Sequence, residues 1–174
     1  MNKIFSLKAR FISIILILTI GLAALPFTSA QAAAEGGNPR LEKLLRGEKT
    51  ALEKQGERLD HTDEIIAKTE SLIEKAKEKG ADVSPLESAL AAYQKSLVVV
   101  QEHHDQAASL LANPAGFDAN GKVTDKKEAL KTLRSAGEEL RRAHLKITEA
   151  SMDLRAAVRA FLEANKPEGA SVRP

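Results

Sequence analysis

The chain has 174 residues, 43% of them hydrophobic and 3% aromatic, with no Cys and no Trp. That excludes a disulfide scaffold, a Cys-ligated metal centre, a thiol nucleophile and a lipid-modified N-terminal Cys. The formal charge of +2 is not that of a polybasic nucleic-acid binder: Lys3, Lys8 and Arg10 lie in a removable segment, and without those three the 26 basic residues become 23 against 24 acidic ones, net −1.

The first element is an export signal. MNKIFSLKAR is a basic head, and FISIILILTIGLAAL is an apolar run of fifteen residues. Pro26 breaks any helix there, and the small residues from Thr28 to Ala34 follow. A basic head, an apolar run and the Ala30-Gln31-Ala32 site predict a secretory signal peptide over residues 1–32. Cleavage is expected after Ala32, with Ala30 or Ala34 as alternatives. The competing reading, an uncleaved anchor, asks for about 20 apolar residues. The run is shorter and ends in a cleavage pattern. The expected destination is therefore the periplasm, the cell surface or the medium, with no membrane span in the mature chain.

Residues 33–39 read as a linker, with Gly36, Gly37 and Pro39 as helix breakers. Residues 40–79 read as one long helix. Leu45, Leu52, Leu59, Ile66 and Ile73 recur every seven residues, and Leu44, Ala51, Ile65 and Leu72 widen the stripe. Gly47 and Gly56 each weaken it by about 1 kcal/mol relative to Ala. Gly80 stops this helix. Ser84-Pro85-Leu86-Glu87 predicts the start of a second helix, 85–112, with Ser84 as N-cap and Glu87 closing a capping box. Val98-Val99-Val100 alone resembles a strand core, but helical spacing continues on both sides. Asn113-Pro114 ends the helix.

The third helix is predicted over 125–165. Leu133, Leu140, Ile147, Leu154 and Phe161 recur every seven residues, and so do Ala129, Ala136, Ala143, Ala150, Ala157 and Ala164 on a neighbouring row. Such an alanine row predicts close helix–helix approach. Residues 166–174 read as a disordered tail. Glu42–Arg46, Glu64–Lys68 and Glu138–Arg142 have the spacing of i,i+4 ion pairs. Together these elements predict an all-α fold: an elongated antiparallel three-helix coiled-coil bundle over 40–165, with a left-handed supercoil. Its longer helices would reach roughly 60 Å. Enclosed catalytic pockets are rare in so thin a bundle.

The chemistry-bearing motifs are weak. Gly116 to Lys127 resembles an EF-hand loop, with Asp118 and Asn120 at ligand positions, yet Gly116 and Lys127 replace the two strongest carboxylates. An Asn-Gly turn followed by an Asp125-x-x-Glu128 capping box accounts for the same residues. His61, His103 and His104 are the metal candidates. A turn centred near residue 82 puts them at one height, among Asp60, Asp63, Glu64, Glu102 and Asp105, while His144 lies several turns away. No dedicated ligand spacing supports a site. Gly47-Glu48-Lys49-Thr50 lacks the glycines and the strand of a phosphate loop. No nucleophile-elbow, zinc-protease or dinucleotide motif occurs. The mature chain keeps Tyr93, Phe117 and Phe161 as its aromatics, too few for base stacking. No enzyme activity, cofactor or nucleic-acid partner is expected.

Helical periplasmic stress chaperones are similar in being secreted, all-helical and Cys-poor. Their Leu-Thr-x-x-Gln repeats do not occur here, so no residue role carries over. The expected function is that of an exported helical interaction or structural module binding a protein partner or itself. A periplasmic stress or chaperone-like protein is the alternative, and a weak metal binder the second alternative. Unequal helix lengths place the expected partner surface at the two ends: Leu41, Leu44 and Leu45 at one, and Leu154, Val158, Phe161 and Leu162 at the other.

Overall fold

The computed structural model describes residues 37–166. The expected signal peptide, all of the linker before Gly37 and the tail beyond Lys166 lie outside them. The described chain is all-α: α1 (Pro39–Asp60), α2 (Thr62–Lys77), α3 (Ser84–Ala112) and α4 (Lys126–Ala164). No strand occurs among the described residues; Phe117 and Val123 form one isolated bridge.

The helix boundaries follow local chemistry, in places differently from the sequence expectation. Asn38-Pro39 is a helix start rather than a breaker. The Asn38 side chain accepts from the Leu41 amide at 3.2 Å, and Pro39 occupies a first-turn position where no N–H is needed. The expected single helix over 40–79 is broken at His61. There the His61 amide donates to the Leu59 carbonyl, and Thr62 Oγ1 donates to the same oxygen at 2.6 Å. A hydroxyl inserted into the backbone ladder bends a helix without Gly or Pro.

Gly80 ends the first arm as expected. At φ +72° it allows Ala81 N to reach Ala76 O at 3.1 Å and Gly80 N to reach Lys77 O at 2.9 Å. This paired closure requires the left-handed conformation that glycine adopts without strain. The N-cap position of α3 is Val83, not Ser84, and it offers no side-chain cap; Asp82, one residue earlier, does the bonding. Its carboxylate accepts from the Ser84 amide at 3.0 Å and hydroxyl at 2.7 Å, which holds its pKa below the usual carboxylate value. Glu87 does not close a capping box; it pairs with Lys77 at 2.6 Å, across the turn. Asp125 caps α4 as expected, accepting from the Lys127 and Glu128 amides. Glu128 does not close that box, because the Asp125 amide donates to Gly116 O.

Three buried clusters run along the bundle. Leu41 and Leu45 meet Ala107, Leu111 and the α4 residues Ala129, Leu133, Ala136 and Leu140. Val100, Ala143 and Ile147 form the middle, with Leu59 and Leu97 against them. Ile73 and Ala76 meet Leu86, Leu90, Tyr93, Ala150, Leu154 and Phe161 at the other end. The chain therefore runs up, down and up through shared layers. The 39 residues of α4 set its length at about 58 Å.

The α3–α4 pair is the most extensive contact. Ala129, Ala136 and Ala143 are fully buried, as the alanine row implied; Ala157 is half-buried and Ala164 exposed. The first arm is different. Its row Leu45, Leu52, Leu59, Ile66 and Ile73 is apolar, but the second inward row is Leu41, Glu48, Gln55, Thr62, Thr69 and Ala76. Gln55 donates to Leu140 O at 3.1 Å and meets His104 Nδ1 at 3.2 Å. Thr69 Oγ1 donates to Ile65 O. Ala51 is exposed, and Ile65 is 39% exposed. The stripe is thus narrower and more polar than the sequence implied.

Candidate functional site

An open groove of about 930 Å³ lies where the first arm breaks beside α3. Its arm wall is Leu59, Asp60, Thr62 and Asp63; its α3 wall runs from Leu97 and Val98 through Gln101, Glu102, Asp105, Gln106 and Ser109. The α3 residues from Val98 onward follow helical spacing, so one stripe of that helix faces the groove. The floor at one end is apolar, and Val98 is 70% exposed. Asp60, Asp63, Glu102 and Asp105 add four carboxylates, and no Lys or Arg lines the groove. Among the described residues none of the four enters an ion pair. Their side-chain partners are neutral: Gln101 donates to Asp105 at 2.8 Å and Gln106 to Glu102 at 3.4 Å.

The histidine candidates do not converge. Among the described residues no group of three or more His, Cys, Asp or Glu is placed to hold a metal ion. His104 faces Gln55 and His103 meets Glu139 at 2.6 Å. His61 stands exposed at the break. The expected register was in error: Gln55, not His61, is level with His104, because the chain turns earlier than residue 82. His144 contacts Arg58 Nη1 at 3.3 Å; burial and that guanidinium lower its pKa. The structure does bring together four of the five carboxylates named around these histidines. Glu64 is the exception, paired with Lys68.

The EF-hand-like loop is a folded turn. Asp118 Oδ1 accepts from the Asn120 and Lys122 amides at 2.9 and 2.8 Å, which uses the carboxylate internally. Gly116, at φ +83°, lies so close to α4 that a Cβ there would sit 2.2 Å from Ala129 N. Lys122 reaches the buried Glu42 at 2.8 Å and holds its carboxyl below the usual range. Glu42 therefore pairs with Lys122 rather than Arg46, and Arg142 with Glu139 rather than Glu138.

That loop also corrects the expectation for the rod ends. Leu41 and Leu45 are buried and Leu44 is half-buried, because Phe117 and Val123 pack over them. At the other end Leu154 and Phe161 are buried and Val158 half-buried against Ile73, Ala76, Val83 and Leu86. A loop supplies the missing partners at the first end, and the facing ends of α2 and α3, with Val83 between them, supply them at the other. Of the seven residues, Leu162 alone is an exposed large hydrophobic, at 49%. The groove was not anticipated as a partner surface. Its available signal was the apolar-to-acidic stripe Val98, Gln101, Glu102 and Asp105.

No family model matches the chain, and no curated protein or solved structure is significantly similar to it. No helix of the described residues is long and apolar enough to cross a membrane.

Proposed function

We propose that the chain is exported, and that its mature form is a helical interaction module binding a protein partner at the groove between the first arm and α3. The export reading rests on the basic head, the apolar run and the Ala30-Gln31-Ala32 site. The inward positions of the first arm alternate by four and three residues, from Leu41 and Leu45 to Ile73 and Ala76, which supports a heptad coiled coil. The observation that carries the binding reading is the solvent-facing Val98 beside Leu59 and Leu97, in a groove between two helical walls. Apolar floors with polar rims mark association surfaces on soluble proteins. The floor is small, which favours a defined partner over general capture of unfolded chains.

Site-specific photo-crosslinking in the producing cell tests this. A photoreactive residue at Val98 is expected to give one discrete protein adduct; the same residue at Met152, exposed on α4, is expected to give none. Absence of an adduct at Val98, or equal adducts at both positions, overturns the reading. Intact-mass analysis of the exported protein is expected to place the N-terminus within Gln31–Glu35; retention of Met1 in a membrane fraction overturns the export proposal.

A further inference from the structure

We infer that the occupant of this groove is a cationic amphipathic helix of a partner protein; the inference rests on the interaction reading above and specifies the partner's chemistry. The argument begins with charge. Asp60 and Asp63 stand on one wall and Glu102 and Asp105 on the other, with no lining cation between them. Like charges across a groove repel one another and concentrate counter-charge there. A ligand that brings Lys or Arg to both rims relieves that repulsion, and its association slows as salt rises. A polyanion would meet the same carboxylates with the wrong sign.

The shape selects a helix over an extended strand. Apart from the break at His61 both walls are helix, and neither presents the extended edge that a strand would join. A helical ligand satisfies its own backbone and needs only side-chain contact. The α3 wall from Val98 to Ser109 rises about 16 Å, which matches three turns of an occupant. The apolar residues lie at one end, where Leu59, Leu97 and Val98 meet. The occupant therefore carries an apolar anchor near one terminus and basic residues along both flanks.

Fluorescence anisotropy tests this on the full mature protein. The probe is a labelled helix-forming peptide of about fourteen residues, with Leu at i, i+3, i+4 and i+7 and Lys or Arg on both flanks. Its twin carries Glu at every basic position. The basic peptide is expected to bind at least about tenfold more tightly than the twin, and to weaken steadily with added salt. The combined variant Asp60→Asn, Asp63→Asn, Glu102→Gln and Asp105→Asn is expected to lose about tenfold in affinity for the basic peptide, with its thermal melt unchanged. Val98→Ser is expected to weaken both peptides alike. Equal affinity of parent and neutralised variant, or salt-independent binding, overturns the inference. So does failure of the basic peptide to bind. If the basic peptide fails while Val98 still yields a discrete cross-link, the interaction reading stands and the partner has other chemistry. If both fail, the groove is not a binding site.

Discussion

The α3–α4 hairpin and the first arm are built on opposite economies of side chain. In the hairpin, Ala129, Ala136 and Ala143 are each 0% exposed, and Val100 and Ala107 across from them are as deeply buried. Small residues let the two backbones approach, and apolar neighbours leave few polar groups to satisfy. The first arm alternates an apolar row with Glu48, Gln55, Thr62 and Thr69, and it breaks at His61. Each of those polar groups needs a partner or stays near water, so the arm binds its neighbours less strongly. The difference teaches where a groove forms in a three-helix bundle: beside the arm whose seam is polar, not along the pair whose seam is alanine.

The sharpest way to break this comparison is to delete the same atoms from both regions. Leu111, at 2% exposure, and the half-buried Leu52 pack in one cluster, from α3 and α1 respectively. Leu111→Ala is expected to cost about 2–5 kcal/mol. Leu52→Ala is expected to cost under about 2 kcal/mol, because its surroundings already meet water and relax into the space. Urea melts with unchanged slope measure both. Equal losses would place the arm in the same rigid core as the hairpin. Overpacking gives a second contrast. Ala143→Leu is expected to cost about 1–3 kcal/mol. Ala51→Leu, on the exposed face of α1, should change stability by less than about 0.5 kcal/mol.

Native-state hydrogen exchange reads the comparison without mutation. Amides in the centres of α3 and α4 are expected to exchange only on global unfolding. Those of α1 and α2 should open at a free energy lower by about 1.4 kcal/mol or more, a tenfold difference in protection. Uniform protection would mean that the arm opens only with the whole fold. A smaller effect comes from making the arm resemble the hairpin. Thr69→Val removes a hydroxyl that is bonded to its own helix at Ile65 O and presents a methyl to the seam. The expected gain is about 0.5–1 kcal/mol, with slower exchange in α2. Destabilisation would show that the polar row is required for packing.

The apolar half of this architecture was legible from spacing alone. Leu133, Leu140, Ile147, Leu154 and the alanine row announced α4 and its close partner, and Gly80 and Pro114 marked both turns. The polar half was not. Glu48, Gln55, Thr62 and Thr69 look like solvent-face residues, because a seven-residue period is visible only where its members share hydrophobicity. Missing that row widened the stripe toward Ile65 and Ala51, which are exposed. The break was hidden for a related reason: it falls where the Thr62 hydroxyl bonds the Leu59 carbonyl, with no Gly or Pro to signal it. Asn38-Pro39 was misread because the residues that break a helix are also the ones that start it. The groove lies beside the first two of these features, the polar row and the break at His61. The carboxylates around His61 were visible as a group, but with the register off by about one and a half turns they were weighed only as neighbours of candidate metal-binding histidines, and their place on a groove rim went unread.

The smallest expected effect isolates the electrostatic side of the arm. Glu48 sits at an inward position, its carboxylate against the α4 backbone at Gly137, where an added Cβ would meet Oε1 at 3.1 Å. No cation is paired with it among the described residues. Burial therefore raises its pKa from the ordinary 4.5. A carboxyl whose pKa is raised on folding holds its proton longer in the folded state than in the unfolded one. Stability is then lost as pH climbs through the carboxylate range, and neutral pH carries the whole penalty. Glu48→Gln removes the charge and keeps the shape. It is expected to stabilise the protein at pH 7 by no more than about 0.5 kcal/mol, since the side chain is partly exposed and water screens it. The gain should shrink as pH falls from the raised folded value toward 4.5 and vanish below it, where Glu48 is neutral in both states. Paired melts of parent and variant across pH 3–7 measure this difference. A gain that persists undiminished at acid pH would trace to packing against Gly137, and a loss at pH 7 would mean that the carboxylate is held by an attraction the arm supplies.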